Sequence, residues 1–459
     1  MSQPVIAARA ADPSGESTPT PGPTSARAPE GALRPSLSEH TAANGLRVVV
    51  VPQPHLQGAT LSVFVKVGPR YERREVNGVS HFLEHMLFRG TEHFANAYEL
   101  SLASERLGGT LEAATYADFT NYQISVPSEH AEAGLSLLAE LLRGPRFLEL
   151  ALEKKIVREE ILADLDEDGR EVDVENLSRM LIFGEHPLGF KITGDADNVD
   201  RLSLDDLREH MRAHYGAANV VVVATGAVEV ASITAAAERV LGGLPRGRLT
   251  LVEEPPPARH DKHLWFVKND GSQTEVRVCF RSFGGDDPEF MALKLLLRVL
   301  DDGMSTRLHR RMTDETGLAY EAFAALDSYE ETGVVELGAS VEHDKVAEAL
   351  GALLELMSNL RDGEITEAEL EKARTRYAWN LRRILDSAED MAMYAGTQAL
   401  FGRNPELGLL LEECARVTLA DLKSVARRVI RRESVYIVCV GKVRKPVERA
   451  AAKVYENWK

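Results

Sequence analysis

The chain has 459 residues, of which 44% are hydrophobic and 27% are charged, a composition typical of a globular protein with two or three domains. Its 54 basic and 71 acidic residues give a formal net charge of −17, which argues against a nucleic-acid-binding surface. No apolar run is long enough for a transmembrane helix, so we expect no membrane span.

The N-terminal segment, residues 1–36, predicts a disordered tail, because it is rich in Pro, Ser, Ala and Gly. It lacks the apolar stretch of a secretory signal peptide. We therefore expect a cytoplasmic protein, with a cleaved organellar or exported precursor as the alternative.

A short amphipathic helix is predicted at about residues 79–87. Apolar residues recur there at the spacing of one helix face and predict packing on a core: Val79, Phe82, Leu83, Met86 and Leu87. Asn77 or Ser80 is expected to cap the N-terminus of this helix, and Gly90 is expected to end it.

The same helix carries the pattern His-x-x-Glu-His, formed by His81, Glu84 and His85. Positions i, i+3 and i+4 lie on one face of a helix, so both histidines can bind one metal ion with Glu84 beside it. The alternative is a partly exposed helix with two solvated histidines. A hydrolytic zinc site commonly has three protein ligands, which predicts a third ligand further along the chain.

A second helix is predicted at about residues 152–162. It contains Glu153 and Glu160, which are seven residues apart and therefore share a face. Glu159 points roughly 100° away from Glu160 around the helix. Either glutamate is a carboxylate of the kind that zinc accepts.

The chain also repeats itself weakly. Residues 61–68 are echoed by residues 276–284, and residues 219–226 by residues 434–441, at an offset of about 215. This repeat predicts two domains of one architecture, an α+β fold in which each domain is a mainly antiparallel sheet with helices on one side. We predict domains at 37–250 and 260–459, joined by a proline-rich linker at 251–259.

The second domain is not expected to bind the same metal. Aligning Gly90 with Gly303 places other residue types at the positions of the two histidines and the glutamate: Lys294, Leu297 and Arg298. None of these three side chains is a common zinc ligand.

Several motifs together resemble the pitrilysin/insulinase family of inverted-zincin metallopeptidases, and in particular its mitochondrial-processing-peptidase-like branch. The resemblance covers nearly the whole chain after residue 36. In addition to His-x-x-Glu-His, it is carried by residues 44–51, 108–113, 120–122, 186–189 and 317–320, and by a glutamate 75 residues after His85.

The resemblance implies a clam-shell arrangement of the two domains and a metal site with one zinc ion per chain. The implied zinc ligands are His81, His85 and Glu160. Glu84 is implied as the general base that takes a proton from a metal-activated water molecule, and Glu153 as the carboxylate that orients the site. By the same comparison, Glu159 is one more surface acid.

The resemblance also implies that a peptide substrate adds as a strand to the edge strand at residues 110–115, where Glu112 and Ala113 contact it. An ordinary edge strand is the alternative. The family usually has Asn at the position of Glu112, and a carboxylate there would disfavour a nearby acidic substrate residue.

A second departure concerns Tyr320, which the resemblance implies as a catalytic residue of the second domain. The family places Arg seven residues before this tyrosine, but this chain has Thr313 there. Some members of the family divide the zinc site and the Arg/Tyr pair between two subunits. Our hypothesis is therefore a homo- or heterodimer in which this chain is the zinc-bearing subunit.

The sequence thus favours a zinc-dependent endopeptidase that hydrolyses peptides or unfolded polypeptide segments. The alternative is a non-catalytic core or scaffold subunit of the same fold, although such relatives generally lose their zinc ligands. A structural zinc site is a further alternative, but structural sites are usually rich in Cys and these ligands include none.

Overall fold

The computed structural model describes residues 36–257 and 262–459. The predicted tail lies outside the described residues except for Ser36, and so do the last two residues of the predicted linker. We refer to the described residues before and after this gap as the first half and the second half.

Eleven strands are found in the described residues. The first half contains six of them: β1 (Ser38–Thr41), β2 (Arg47–Pro52), β3 (Gly58–Val65), β4 (Leu111–Thr115), β5 (Thr120–Pro127) and β6 (Val220–Gly226). The second half contains the other five: β7 (Leu264–Val267), β8 (Thr274–Phe283), β9 (Ala319–Ser328), β10 (Thr332–Val341) and β11 (Val435–Val440).

The helices follow a similar order in the two halves. Those of the first half are α1 (Val79–Leu87), α2 (Ala97–Arg106), α3 (Ala131–Arg143), α4 (Leu150–Ala163), α5 (Val174–Phe183), α6 (Ala196–Arg201), α7 (Leu204–His214) and α8 (Val230–Leu241). Those of the second half are α9 (Phe290–Leu300), α10 (Arg307–His309), α11 (Val346–Arg361), α12 (Glu367–Arg383), α13 (Ala388–Leu400), α14 (Leu407–Arg416), α15 (Leu419–Val429) and α16 (Lys445–Asn457). A π-helical turn, Arg310–Glu315, continues α10.

The strands form one mainly antiparallel sheet in each half. The first sheet has the order β1-β2-β6-β3-β5-β4, in which only β2 and β6 run parallel. The second has the order β7-β11-β8-β10-β9, with β7 and β11 parallel. The predicted α+β fold class is therefore confirmed.

The first sheet is buried on both faces. Val48, Val50 and Val222 pack in a core with helices of their own half, such as α3 and α8. Val49 and Val223 point to the opposite face and pack in a core made largely of second-half residues. Because successive side chains of a strand alternate between faces, burial on both sides explains the unbroken valine runs of β2 and β6.

The opposite face of each sheet is covered by a helix from the other half. Helix α13 of the second half lies on β3 and β6, while α5 of the first half lies on β8 and β11. These two helices start 214 residues apart, close to the repeat offset, so they are equivalent elements exchanged between the halves. The sequence repeat did not indicate this exchange, because a repeat offset does not say which sheet a helix covers.

The close approach of α13 to the first sheet generates a prediction at Gly396. A Cβ atom at this position would lie 2.1 Å from a ring carbon of Phe64, which is fully buried. Gly396→Ala should therefore lower the free energy of unfolding by about 1–3 kcal/mol through overpacking.

Gly351→Ala in α11 is the matched control for this prediction, because the nearest atom to the added methyl group, on Val454, is 3.8 Å away. It should raise the free energy of unfolding by about 0.5–1 kcal/mol through helix propensity. Urea denaturation of the two variants measures both effects. Equal stabilisation by both substitutions would contradict the packing described for α13.

Candidate metal centre

Helix α1 is anchored at its N-terminus by the buried carboxylate of Glu72. This carboxylate accepts hydrogen bonds from the backbone N–H groups of Gly78 (2.7 Å) and Ser80 (2.8 Å) and from the side chain of Asn77 (2.9 Å). The prediction that Asn77 or Ser80 caps the helix is therefore wrong, because a carboxylate from the preceding turn takes that role. The expected terminator, Gly90, lies three residues beyond the last helical residue, Leu87.

The apolar face of α1 is buried as the sequence predicted. All five residues of the stripe are at most 1% exposed: Val79, Phe82, Leu83, Met86 and Leu87. Because this face is fixed against the core, His81 and His85 are turned towards α4 and remain partly exposed. Glu84, on the same helix, is buried.

His81, His85 and Glu160 converge on one point. The Oε2 atom of Glu160 lies 3.6 Å from Nε2 of His81 and 3.7 Å from Nε2 of His85. One ligand atom from each of the three residues lies within 4.8 Å of the others. Ligand atoms of a tetrahedral zinc site with bonds near 2.0–2.1 Å are about 3.4 Å apart, so the two distances to Glu160 are close to those of a zinc site.

The types of donor atom also fit zinc. Two imidazole nitrogens and one carboxylate oxygen form a ligand set found in catalytic zinc sites. The side chain of Glu160 is 42% exposed, so the point where the three ligands meet is accessible to solvent. No other such group of three potential ligands occurs among residues 36–257 and 262–459.

Glu153 holds His85 in this orientation. Its Oε1 atom accepts a hydrogen bond of 2.8 Å from Nδ1 of His85, which leaves Nε2 directed at Glu160. Its other oxygen is bound by Arg89, a residue that the sequence analysis did not single out. Burial opposes ionisation of Glu153, but the hydrogen bonds from His85 and Arg89 outweigh it and lower the pKa of the carboxyl group.

The two histidines differ in their surroundings. Burial, together with the neighbouring His85, lowers the pKa of His81 to about 3, so His81 is neutral and able to bind a metal. Burial also acts to lower the pKa of His85, but the hydrogen bond to Glu153 and the charge of Glu160 raise it above its usual value. The Nδ1 atom of His81 is buried and has no hydrogen-bond partner within the described residues.

Glu84 is held by Thr115, the last residue of the edge strand β4. The hydroxyl group of Thr115 donates a hydrogen bond of 2.5 Å to Oε2 of Glu84. Burial raises the pKa of Glu84 despite this hydrogen bond. Thr115 was not identified from the sequence, and the only signal was its place in the strand expected to bind peptide.

The edge strand β4 is paired on one side only, with β5. Ala113 packs partly against the core on the side of α1, whereas Glu112 is exposed and accepts a hydrogen bond of 3.0 Å from Gln123. Because side chains alternate along a strand, Glu112 points to the face opposite Thr115. Its side chain is therefore directed away from Glu84.

Tyr320 makes no hydrogen bond to His81, His85 or Glu160 in the described part of the chain. It lies at the start of β9 with 94% of its surface exposed. Thr313, which replaces the family Arg, donates its hydroxyl to the carbonyl of Ala319. The nearby Arg310 and Arg311 form ion pairs with Glu315 and Glu355, respectively.

Comparison with known proteins now identifies the family. Residues 47–195 match the family described as insulinase (peptidase family M16), and residues 201–377 match the domain described as the peptidase M16 inactive domain. The chain belongs to the insulinase family. The cluster of His81, His85 and Glu160, a candidate metal cluster, lies in the first of the two matched segments, and Tyr320 lies in the second.

Similar proteins are found in bacteria and plants. The chain is 28% identical to an uncharacterised zinc protease of Bacillus subtilis over 86% of this chain and 95% of that protein. It is 26% identical to a probable mitochondrial-processing peptidase subunit beta of Arabidopsis thaliana over 89% of this chain and 79% of that protein. The crystal structure of a protease from Helicobacter pylori has the same fold, with a TM-score of 0.80, 23% identity, and coverage of 89% of this chain and 100% of that one.

The adjacent glutamates of α4 provide a test of the ligand set. Glu160→Gln should weaken zinc binding by more than about 100-fold, since even residues that only orient a ligand contribute about 10–100-fold. Glu159→Gln removes the same charge one position away and should leave zinc binding unchanged. Zinc content after purification and competition with a chelator measure zinc binding by the two variants. Equal loss of zinc binding in both would contradict the assignment of Glu160.

Proposed function

We propose that this chain is a zinc-dependent endopeptidase that hydrolyses peptides or unfolded polypeptide segments. The observation that carries the proposal is the convergence of His81, His85 and Glu160, with Glu84 buried beside them. The proposal is supported by the bacterial relatives, which are named as uncharacterised zinc proteases. Zinc bound by these three residues would act as a Lewis acid and lower the pKa of a water molecule next to Glu84.

Glu84 is the proposed general base. Its burial raises the pKa of the carboxyl group, which makes the carboxylate a better proton acceptor near neutral pH. The hydroxyl of Thr115 occupies Oε2 and leaves Oε1 of Glu84 to receive a proton from water and pass it to the departing amine. Glu153 acts through His85, which it orients, and does not need to contact the substrate.

The substrate is proposed to bind along β4 as an added strand. The free edge of β4 offers backbone N–H and C=O groups next to Thr115. The hydrogen bond from Thr115 to Glu84 connects this strand to the proposed general base. Recognition through the backbone requires an extended segment, which explains why we propose peptides and unfolded polypeptides as substrates. The exposed carboxylate of Glu112 would favour a basic residue in that segment.

Glu84→Gln tests the proposed function directly. The amide keeps the shape of the side chain but cannot accept the proton, so cleavage of a mixed peptide library should fall by roughly 10²–10⁴-fold while the zinc content stays the same. Mass spectrometry of the products and metal analysis measure the two quantities. Equal cleavage by both proteins would remove Glu84 from the mechanism, and no cleavage by either, with or without a related subunit that carries the Arg/Tyr pair, would favour the scaffold alternative.

Thr115 is proposed as a positioning residue for Glu84. Thr115→Val removes a hydrogen bond to a charged group and should lower kcat by roughly tenfold to hundredfold with unchanged zinc content. Thr115→Ser keeps the hydroxyl group and should restore most of the activity. If the serine variant is as slow as the valine variant, the hydrogen bond is not the reason for the loss.

We also propose that the active form contains a second subunit. The exposed Tyr320 lacks the Arg of the family pair, and the mitochondrial-processing peptidase relative is named as a subunit. A one-to-one mixture with a related subunit that carries the Arg/Tyr pair should therefore cleave peptides faster than this chain alone. Equal rates would refute the heterodimer. The cytoplasmic location stays a prediction of the sequence.

A further inference from the structure

The second half contains a cavity at the place where the first half has the metal cluster. Helix α9 is the equivalent of α1, and α12 is the equivalent of α4, in the order of elements of the two halves. The cavity is lined by Lys294 and Arg298 of α9 and by Tyr377 of α12. The alignment of Gly90 with Gly303 places the two α9 residues at the positions of His81 and His85.

The cavity is large enough for a small organic molecule. Its volume is about 650 Å³, within the range of roughly 300–1,000 Å³ that is common for ligand sites. Its walls combine polar groups with apolar and aromatic side chains, which include Phe119, Phe290, Leu297, Leu326 and Phe401. These side chains can pack against an apolar or aromatic body of a ligand.

Two side chains that line the cavity have hydrogen-bond donors without a partner in the described residues. Lys294 forms no ion pair or hydrogen bond within residues 36–257 and 262–459, and its ammonium group lies 4.6 Å from the centre of the Phe290 ring. The Nη2 atom of Arg403 is buried and also has no partner there, although its Nε atom donates to Asp286. Burial and the charges of Arg403 and Arg298 lower the pKa of Lys294 to about 8, whereas Glu413 acts in the opposite direction.

Two of the three acidic residues of the cavity, Asp301 and Asp302, already have hydrogen-bond or ion-pair partners. Asp302 is bound by Arg298 (2.6 Å) and by Arg376 (2.7 Å), and Asp301 accepts a hydrogen bond from the backbone of Ala324. Asp118 also lines the cavity but comes from the turn between β4 and β5 of the first half. With three cations and three carboxylates on the walls, the cavity favours a singly charged ligand over a dianion such as phosphate.

We propose that this cavity binds an organic monocarboxylate, with its carboxylate group on Lys294 and Arg403 and its apolar or aromatic body against the phenylalanine and leucine side chains. A carboxylate supplies the acceptors that the unpartnered donors of Lys294 and Arg403 need. The carboxylate is either that of a free small acid or the C-terminal carboxylate of a short peptide. The peptide source rests on the proposed function, since each cleavage produces such a terminus.

Calorimetry with defined probes tests the proposal on the full chain. Phenylacetate represents the free acid and N-acetyl-alanyl-phenylalanine represents the peptide carboxylate, while the two corresponding amides are neutral controls of the same shape. At least one acid should bind saturably and its amide should bind at least about tenfold more weakly. Binding of only one acid shows whether the ligand is a free small acid or the C-terminus of a peptide. If neither acid binds, or if each amide binds as well as its acid, the proposal is overturned.

Variants locate the probe in the cavity. Lys294→Met removes the ammonium group at similar side-chain volume and should weaken binding of the acid by at least about tenfold, whereas Lys345→Met removes an exposed lysine of another surface and should not. The double variant His81→Ala/His85→Ala removes two metal ligands and should bind the acid as the unmodified chain does. Loss of binding in that variant would place the probe on the metal and overturn the proposal. Calorimetry measures binding and does not depend on cleavage. Failure of the monocarboxylate proposal is therefore distinct from failure of the proposed peptidase function.

Discussion

The fixed position of α1 is the constraint on which the candidate site depends. Its apolar stripe is completely buried and its first turn is bound by Glu72, so the helix can neither rotate nor slide without losing core contacts and hydrogen bonds. The orientation of His81 and His85 towards α4 follows from this placement. Glu153 then determines which nitrogen of His85 faces Glu160. The positions of the candidate ligand atoms of His81 and His85 thus depend on the packing of a nine-residue helix.

The parts of the site that could be predicted from the sequence are those that lie on single helices. The spacing of His81, Glu84 and His85, or of Glu153 and Glu160, indicates a shared face whatever the tertiary structure, because helix geometry is regular. Thr115 and Arg89 could not be found in this way. Their roles arise from contacts between elements that are 31 and 64 residues apart in the chain.

The fold, like the site, could be predicted from the sequence only in part. The repeat predicted two similar α+β halves, since equivalent strands carry equivalent apolar patterns. It could not predict that α5 and α13 would cover the sheets of the opposite halves. Valine runs buried on both faces, as in β2 and β6, indicate that a second layer exists but do not identify the element that supplies it. Similarly, the expected cap of α1 was wrong because Glu72 reaches it from a separate turn.

The exchange of α5 and α13 also implies that the two halves cannot fold independently. Neither half has a complete core alone, because one face of each sheet would be left uncovered and would present valine and aromatic side chains to water. A chain cut at the linker should therefore give two fragments that aggregate separately and associate when refolded together. Folding during synthesis cannot finish with the first half, since α13 must emerge from the ribosome before the first sheet is enclosed.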